Sequence, residues 1–281
     1  MSKVQRSLKP KQSVLSGTAS ILTLGWSNSS RGRLLLRRAI ANLVRAGLRV
    51  RSSRFSPDML TSALVFSPHP DDESFGCGGT LALLSRGKVA IHVAFITDGG
   101  ASHPFHAVVP PKEISQRRRK EAIAAAGALG IGLSGVTFLE APDGALARLH
   151  GEDLQKTLEN ISAVLTRVMP DAILLPCRRD GSSEHDAAFW LARRALDGSG
   201  LRPRIFEFPV WSWWNPMLLL RSMFEYKKVW RVTLGDAREA KARAIASYVS
   251  QTHPIPPDTT SALPPGFASM FLGDEEFLLE K

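Results

Sequence analysis

Between residues 63 and 210 the chain alternates short apolar runs with longer segments of helical spacing. ALVFS (63–67), VAIHVAFIT (89–97), VTFLE (136–140), AILLP (172–176) and RIFEFPV (204–210) have the length and β-branched content of strands. Between them LALLSRG (81–87), RRRKEAIAAAGALG (117–130) and the stretches 153–169 and 187–196 carry the helical pattern. Val, Ile and Leu run on in these strands without alternating with polar residues, as in strands buried on both faces. Strand followed by helix, repeated, therefore predicts an open, doubly wound, mostly parallel α/β sheet of the Rossmann-like kind.

Ahead of this region the pattern is different. Residues 31–51 place Leu36, Ile40, Leu43, Val44 and Leu48 at helical spacing, while Arg33, Arg37, Arg38, Arg45 and Arg49 fill much of the remaining surface. This basic amphipathic helix has two readings: it lies on anionic lipid, or it docks on the body with its arginines in water.

The formal charge of +10 divides unevenly, with 12 Lys and Arg and no acid in residues 1–57, against 24 basic and 26 acidic residues in 58–281. The expected organisation is a basic N-terminal extension (1–57) on a nearly neutral main domain (58–281). A nucleic-acid groove is not expected in that domain, whereas peripheral membrane contact through the helix fits the charge. The first 30 residues have the outline of a signal peptide, but the segment is too polar and lacks a cleavage site, so a retained, partly disordered extension is expected. No apolar run long enough for a spanning helix occurs. The two cysteines, Cys77 and Cys177, make neither a disulfide framework nor a paired Cys zinc site, which points to a reducing, cytoplasmic setting.

In a doubly wound sheet, ligands bind beyond the carboxyl ends of the strands, where strand order reverses. The polar clusters fall at such ends. His69 to Glu73 follow the first strand, Asp98 and Gly99 the second, Asp143 and Gly144 the third, and Arg178 to His185 the strand at 172–176. In SPHPDDESFGCGGT (67–80), His69 and Asp72 are three apart on a turn and can converge on one ion. A hydrolytic zinc site commonly adds a third protein ligand and leaves one position to a water whose pKa falls to about 7. His185, at another strand end, is the best placed third ligand, which leaves Asp71 to take the water's proton. A competing reading makes Asp71, Asp72 and Glu73 plain caps of the next helix.

PHPDDESFGCGG, FITDG, RRRKEAIAAAGALGI, PDGAL and CRRDGSSEHDAA, in this order, resemble the LmbE-like N-acetylglucosaminyl deacetylases, the PIG-L family. The resemblance covers about residues 63–210 and implies zinc-dependent removal of the N-acetyl group from an amino sugar or sugar conjugate. It matches His69, Asp72 and His185 to zinc ligands, Asp71 to the general base, and Arg118 and Asp143 to positions that hold the sugar. One departure has mechanistic weight. Where the family has a histidine that stabilises the oxyanion, this chain has Ser182, and loss of one oxyanion donor costs about 10²- to 10³-fold in rate. His103, His106 and His253 are the histidines that could replace it. Two rival functions follow: a weakened sugar-binding module of the same fold, and a non-haem iron oxygenase using the same two-His, one-carboxylate set. The apolar stretch PVWSWWNP (209–216) would stack on sugar rings or pack as core.

Overall fold

The computed structural model describes residues 31–281, so the expected disordered arm ahead of residue 31 lies outside the described residues. In chain order the elements are α1 (Arg31–Arg51), β1 (Ser52–Arg54), β2 (Ser62–Ser67), α2 (Asp72–Arg86), β3 (Ala90–Thr97), α3 (Pro111–Ala128), β4 (Val136–Ala141), α4 (Gly151–Val168), β5 (Ala172–Pro176) and α5 (Ser183–Ser199). They continue with β6 (Arg204–Phe208), α6 (Trp211–Trp214), α7 (Pro216–Ser222), β7 (Lys228–Thr233), α8 (Ala237–Ser247), α9 (Val249–Thr252) and β8 (Glu275–Glu280).

The strands form one sheet in the order β1-β7-β8-β6-β5-β2-β3-β4. All pairings are parallel except those of β8, which runs antiparallel between β6 and β7. Successive residues of the central strands point to opposite layers. Ala63, Val65, Val93 and Phe95 join a core shared with α2, α3 and α8, while Leu64, Phe66, Ala94 and Ile96 join one shared with α4 and α5. The mixed α/β sheet with flanking helices is thus the expected class, and burial on both faces accounts for the unbroken apolar runs.

From β2 the chain steps to β3 and β4 on one side, then returns to β5 and β6 on the other. Strand order therefore reverses between β2 and β5, which pair directly through Ala63 with Ala172 and Val65 with Leu174. The loops leaving their carboxyl ends, 68–71 and 177–182, open side by side at this switch point.

Helix α2 starts there and crosses the end of β6 at close range. A Cβ built on Gly76 would lie 2.0 Å from a ring carbon of Phe208, itself fully buried. Gly76→Ala is accordingly expected to cost about 1–3 kcal/mol, the usual range for overpacking. Urea denaturation checks this, and an unchanged midpoint would contradict the close packing.

Helix α1 forms over the residues expected, but its faces differ from the sequence reading. Ala41, Val44 and Leu48 are buried in the main core, with Leu34 packed against it, whereas Leu36 and Leu43 face outward. The guanidinium groups of Arg37 and Arg45 lie on the inner side, each 4.3 Å from the ring centre of Trp214 and Trp213 respectively. Cation–π stacking on the WSWW segment replaces aliphatic contacts on that face, which a hydrophobic-spacing rule does not anticipate. Among the described residues no helix is long and apolar enough to cross a membrane.

Candidate active site

The turn after β2 is fixed by unusual backbone. Asp71 is the residue that caps α2, with φ 145°, a conformation that costs a non-glycine residue about 1–3 kcal/mol. Its carbonyl accepts from the amides of Ser74 and Phe75, but its carboxylate makes no capping bond. The plain-cap reading therefore fails for Asp71: its side chain is held at the cleft by Arg118, whose Nη2 lies 3.1 Å from Oδ2.

Arg118 projects from α3 and is itself buried, donating from Nη2 to the Pro70 carbonyl at 2.5 Å and from Nη1 to the Gly99 carbonyl at 3.1 Å. Gly99 has φ 69°, and a Cβ there would come within 2.7 Å of the guanidinium. The glycine at the end of β3 thus serves both the turn and the passage of Arg118. Its neighbours Arg117, Arg119 and Lys120 are exposed, so Arg118 alone of this basic run turns inward.

His69 and Asp72 meet as the turn predicts. Nδ1 of His69 is 3.1 Å from Oδ2 of Asp72, and the other ring nitrogen is 3.3 Å from Oδ1 of Asp143. His185 reaches the same carboxylate from α5, its Nε2 3.2 Å from Oδ1 of Asp72. One donor atom from each of His69, Asp72 and His185 lies within 4.8 Å of the others. The Nε2 of His185 is buried and, although 3.2 Å from Oδ1 of Asp72, is not aligned for a hydrogen bond. A cation shared by the three groups would satisfy it.

Behind the histidines stand carboxylates. Asp180, fully buried, lies 2.9 Å from Nδ1 of His185 and accepts amide bonds from Trp211 and Ser212 at 2.8 Å each, plus the Ser212 hydroxyl. Holding one imidazole nitrogen in this way aims the other at Asp72. Asp143 does the same for His69 and also accepts from the Ala101 amide at 2.8 Å. Glu73 points away from the cleft and accepts hydroxyl bonds from Ser74 and Tyr248, each 2.6 Å.

The charges follow from burial set against these partners. Burial disfavours ionised Asp72, but His185 and His69 outweigh it and hold the carboxyl well below the usual range. Burial pushes the Asp71 carboxyl up and Arg118 only partly offsets it, leaving it at about 8. A carboxyl poised there can take a proton and give it back near neutrality. Burial likewise opposes protonation of His185, yet Asp72 and Asp180 push it up to about 10.

His69, Asp71 and Asp72 line a cleft of about 500 Å³ whose walls include Arg118, Asp143, Ser182, Trp211, Gln251 and Phe267. That is the size of a small-ligand site. Ser182 is the N-cap of α5, its hydroxyl accepting from the His185 amide at 3.4 Å. His103, His106 and His253 do not line the cleft: His106 is bound to the Ile255 carbonyl and His253 to the Thr252 hydroxyl. No second imidazole therefore stands in for the missing histidine among the described residues. Trp211 serves both readings of the tryptophan segment, since it borders the cleft, while Trp213 and Trp214 are buried. Sequence reasoning gave no role to Asp180, Tyr248 or Gln251 and read Glu73 only as a helix cap; of these only Asp180 carried a signal, five residues before His185.

The doubly wound sheet thus brings to its switch point a His, Asp, His cluster with the spacing to hold a metal ion. Residues 64–196 match the PIG-L family, GlcNAc-PI de-N-acetylase, and the chain carries a domain of this LmbE-like family. It is 26% identical over 193 residues to a diacetylchitobiose deacetylase of Thermococcus kodakarensis, covering 67% of this chain and 69% of that protein. The fold is shared with the N,N'-diacetylchitobiose deacetylase of Pyrococcus horikoshii, solved with its inhibitor MPG, at TM-score 0.51, 22% identity and coverage of 75% and 77%. It is also shared with the 4-carboxy-2-hydroxymuconate hydratase of Pseudomonas putida KT2440, at TM-score 0.55, 24% identity and coverage of 68% and 80%. Two reaction classes thus occur on this fold, so the reaction must be argued from the site.

Proposed function

We propose that the protein is a zinc-dependent hydrolase that removes the N-acetyl group from an N-acetylglucosamine-type sugar or glycoconjugate. The observation that carries this reading is the convergence of His69, Asp72 and the unpartnered Nε2 of His185 beside a carboxylate, Asp71, that the helix cap does not use. Two imidazoles and one carboxylate are a donor set that zinc takes in hydrolytic sites, with a position left open. The family match and the chitobiose deacetylase relative support an acetylated amino sugar as the substrate class.

Zinc, when bound, would polarise the acetyl carbonyl and acidify a water beside it. Asp71 takes the proton of the attacking water and, once the tetrahedral carbon forms, returns it to the departing amine. One residue serves both transfers because its carboxyl sits next to Arg118, which fixes its position through both transfers. Asp143 keeps His69 oriented and, with Arg118, borders the space for the sugar. Ser182 offers a neutral hydroxyl where a cationic imidazole would hold the oxyanion more strongly, so turnover slower than that of histidine-bearing relatives is expected.

Acetate release from N,N'-diacetylchitobiose, with zinc supplied and free amine counted in parallel, tests the reading. One acetate per new amine is expected. Sugar binding with zinc bound but no acetate would instead make the chain a sugar-binding module, and activity that needs iron and oxygen would make it an oxygenase.

A further inference from the structure

Helix α1 exposes a strip of apolar side chains that its packing on the body does not use. Its inner face already binds the body through Ala41, Val44, Leu48 and the stacked Arg37 and Arg45. At 3.6 residues per turn, Leu35, Leu36, Ala39, Leu43, Ala46 and Val50 fall within an arc of about 100° on the opposite side. They lie in the open: Leu35 is 63%, Leu43 73% and Val50 88% exposed. Arg38 and Arg49 border this strip on one edge, Arg33 and Arg51 on the other; Arg38 also donates to the Ser269 hydroxyl, Arg49 to Glu275 and Arg51 to the Met223 carbonyl, yet the Arg49 side chain stays 52% exposed. Between residues 31 and 54 there are eight arginines and no Asp or Glu. Beside α1, α7 and the turn after it expose Met217, Leu220 and Phe224, with the Arg51 guanidinium 4.8 Å from the centre of the Phe224 ring.

We propose that the outer face of α1 is a docking surface for an anionic lipid bilayer, with the leucines and Val50 entering the headgroup boundary and the flanking arginines meeting lipid phosphates. An apolar strip edged by cations complements that interface on both counts. A second copy of the chain is a poor match. A two-fold pairing of this face would set arginine flanks against each other, and neither helix carries a carboxylate to meet them. The inner side of the same helix sits close to the cleft. Leu34 on the inner side packs against Gly266, and the next residue, Phe267, lines the cleft. Docking would therefore hold the cleft near the membrane surface, whatever the reaction there.

The test is co-sedimentation of the full chain with vesicles of equal parts phosphatidylglycerol and phosphatidylcholine, against vesicles of phosphatidylcholine alone. The variant combines Leu35→Ser, Leu36→Ser, Leu43→Ser and Val50→Ser and keeps every basic residue, including those ahead of position 31. Wild type is expected to bind the anionic vesicles and to be released by high salt. The variant should lose at least about tenfold in partitioning, with melting temperature unchanged because these side chains are exposed. Three results overturn the proposal: no wild-type binding, equal binding by the variant, or a wild-type dimer that the same substitutions dissociate in the absence of any vesicle binding. None of them depends on deacetylation, so the proposal and the assigned reaction fail separately.

Discussion

Asp71→Asn is expected to lower acetate release by about 10²- to 10⁴-fold, the range for losing a general acid–base group, while zinc content stays at the wild-type level. Asparagine keeps the shape of the side chain and tolerates positive φ better than most residues, so the turn at φ 145° should survive. It cannot accept the water's proton. Arg118 keeps its bonds to the Pro70 and Gly99 carbonyls, although it loses its charged partner. Removing one partner of a buried pair costs up to about 3–5 kcal/mol, so assays belong well below a melting temperature measured for each protein. Wild-type turnover by the folded variant would remove Asp71 from the proton path.

The second large effect lies in the ligands. His185→Ala should abolish stoichiometric zinc binding and activity together, because it removes one of the three donor groups that converge and leaves only His69 and Asp72 of that set. Asp180→Asn should act at one remove, weakening zinc affinity about 10- to 100-fold, the usual cost of losing the partner that orients a ligating histidine. At saturating zinc the Asp180 variant should regain much of its activity, and His185→Ala should not. Competition against a chelator measures both. Equal zinc affinity in the wild type and His185→Ala would contradict the assigned site.

Much of this site was legible from residue order because the fold imposes the geometry. An apolar strand that ends in HPDDE and a second that ends near His185 must bring those loops together if the two strands flank the switch point, and they do. What spacing could not give was which charges turn inward. Arg118 is one of three consecutive arginines, and only the passage past Gly99 distinguishes the buried one. Arg37 and Arg45 likewise read as surface charge because stacking on tryptophans far along the chain leaves no local trace. The strands β7 and β8 went unread for a related reason. In EEFLLE, three apolar residues sit between glutamates, and Glu276 is buried in an ion pair with Lys241 while accepting amides of α2. Its polarity looks like surface until those partners are known.

The most direct measurement is anomalous X-ray scattering at the zinc edge from crystals grown with the metal. The ligand assignment requires one strong peak about 2 Å from nitrogens of His69 and His185 and an oxygen of Asp72. A cleft free of zinc, or zinc held by other side chains with these three left unligated, would contradict it.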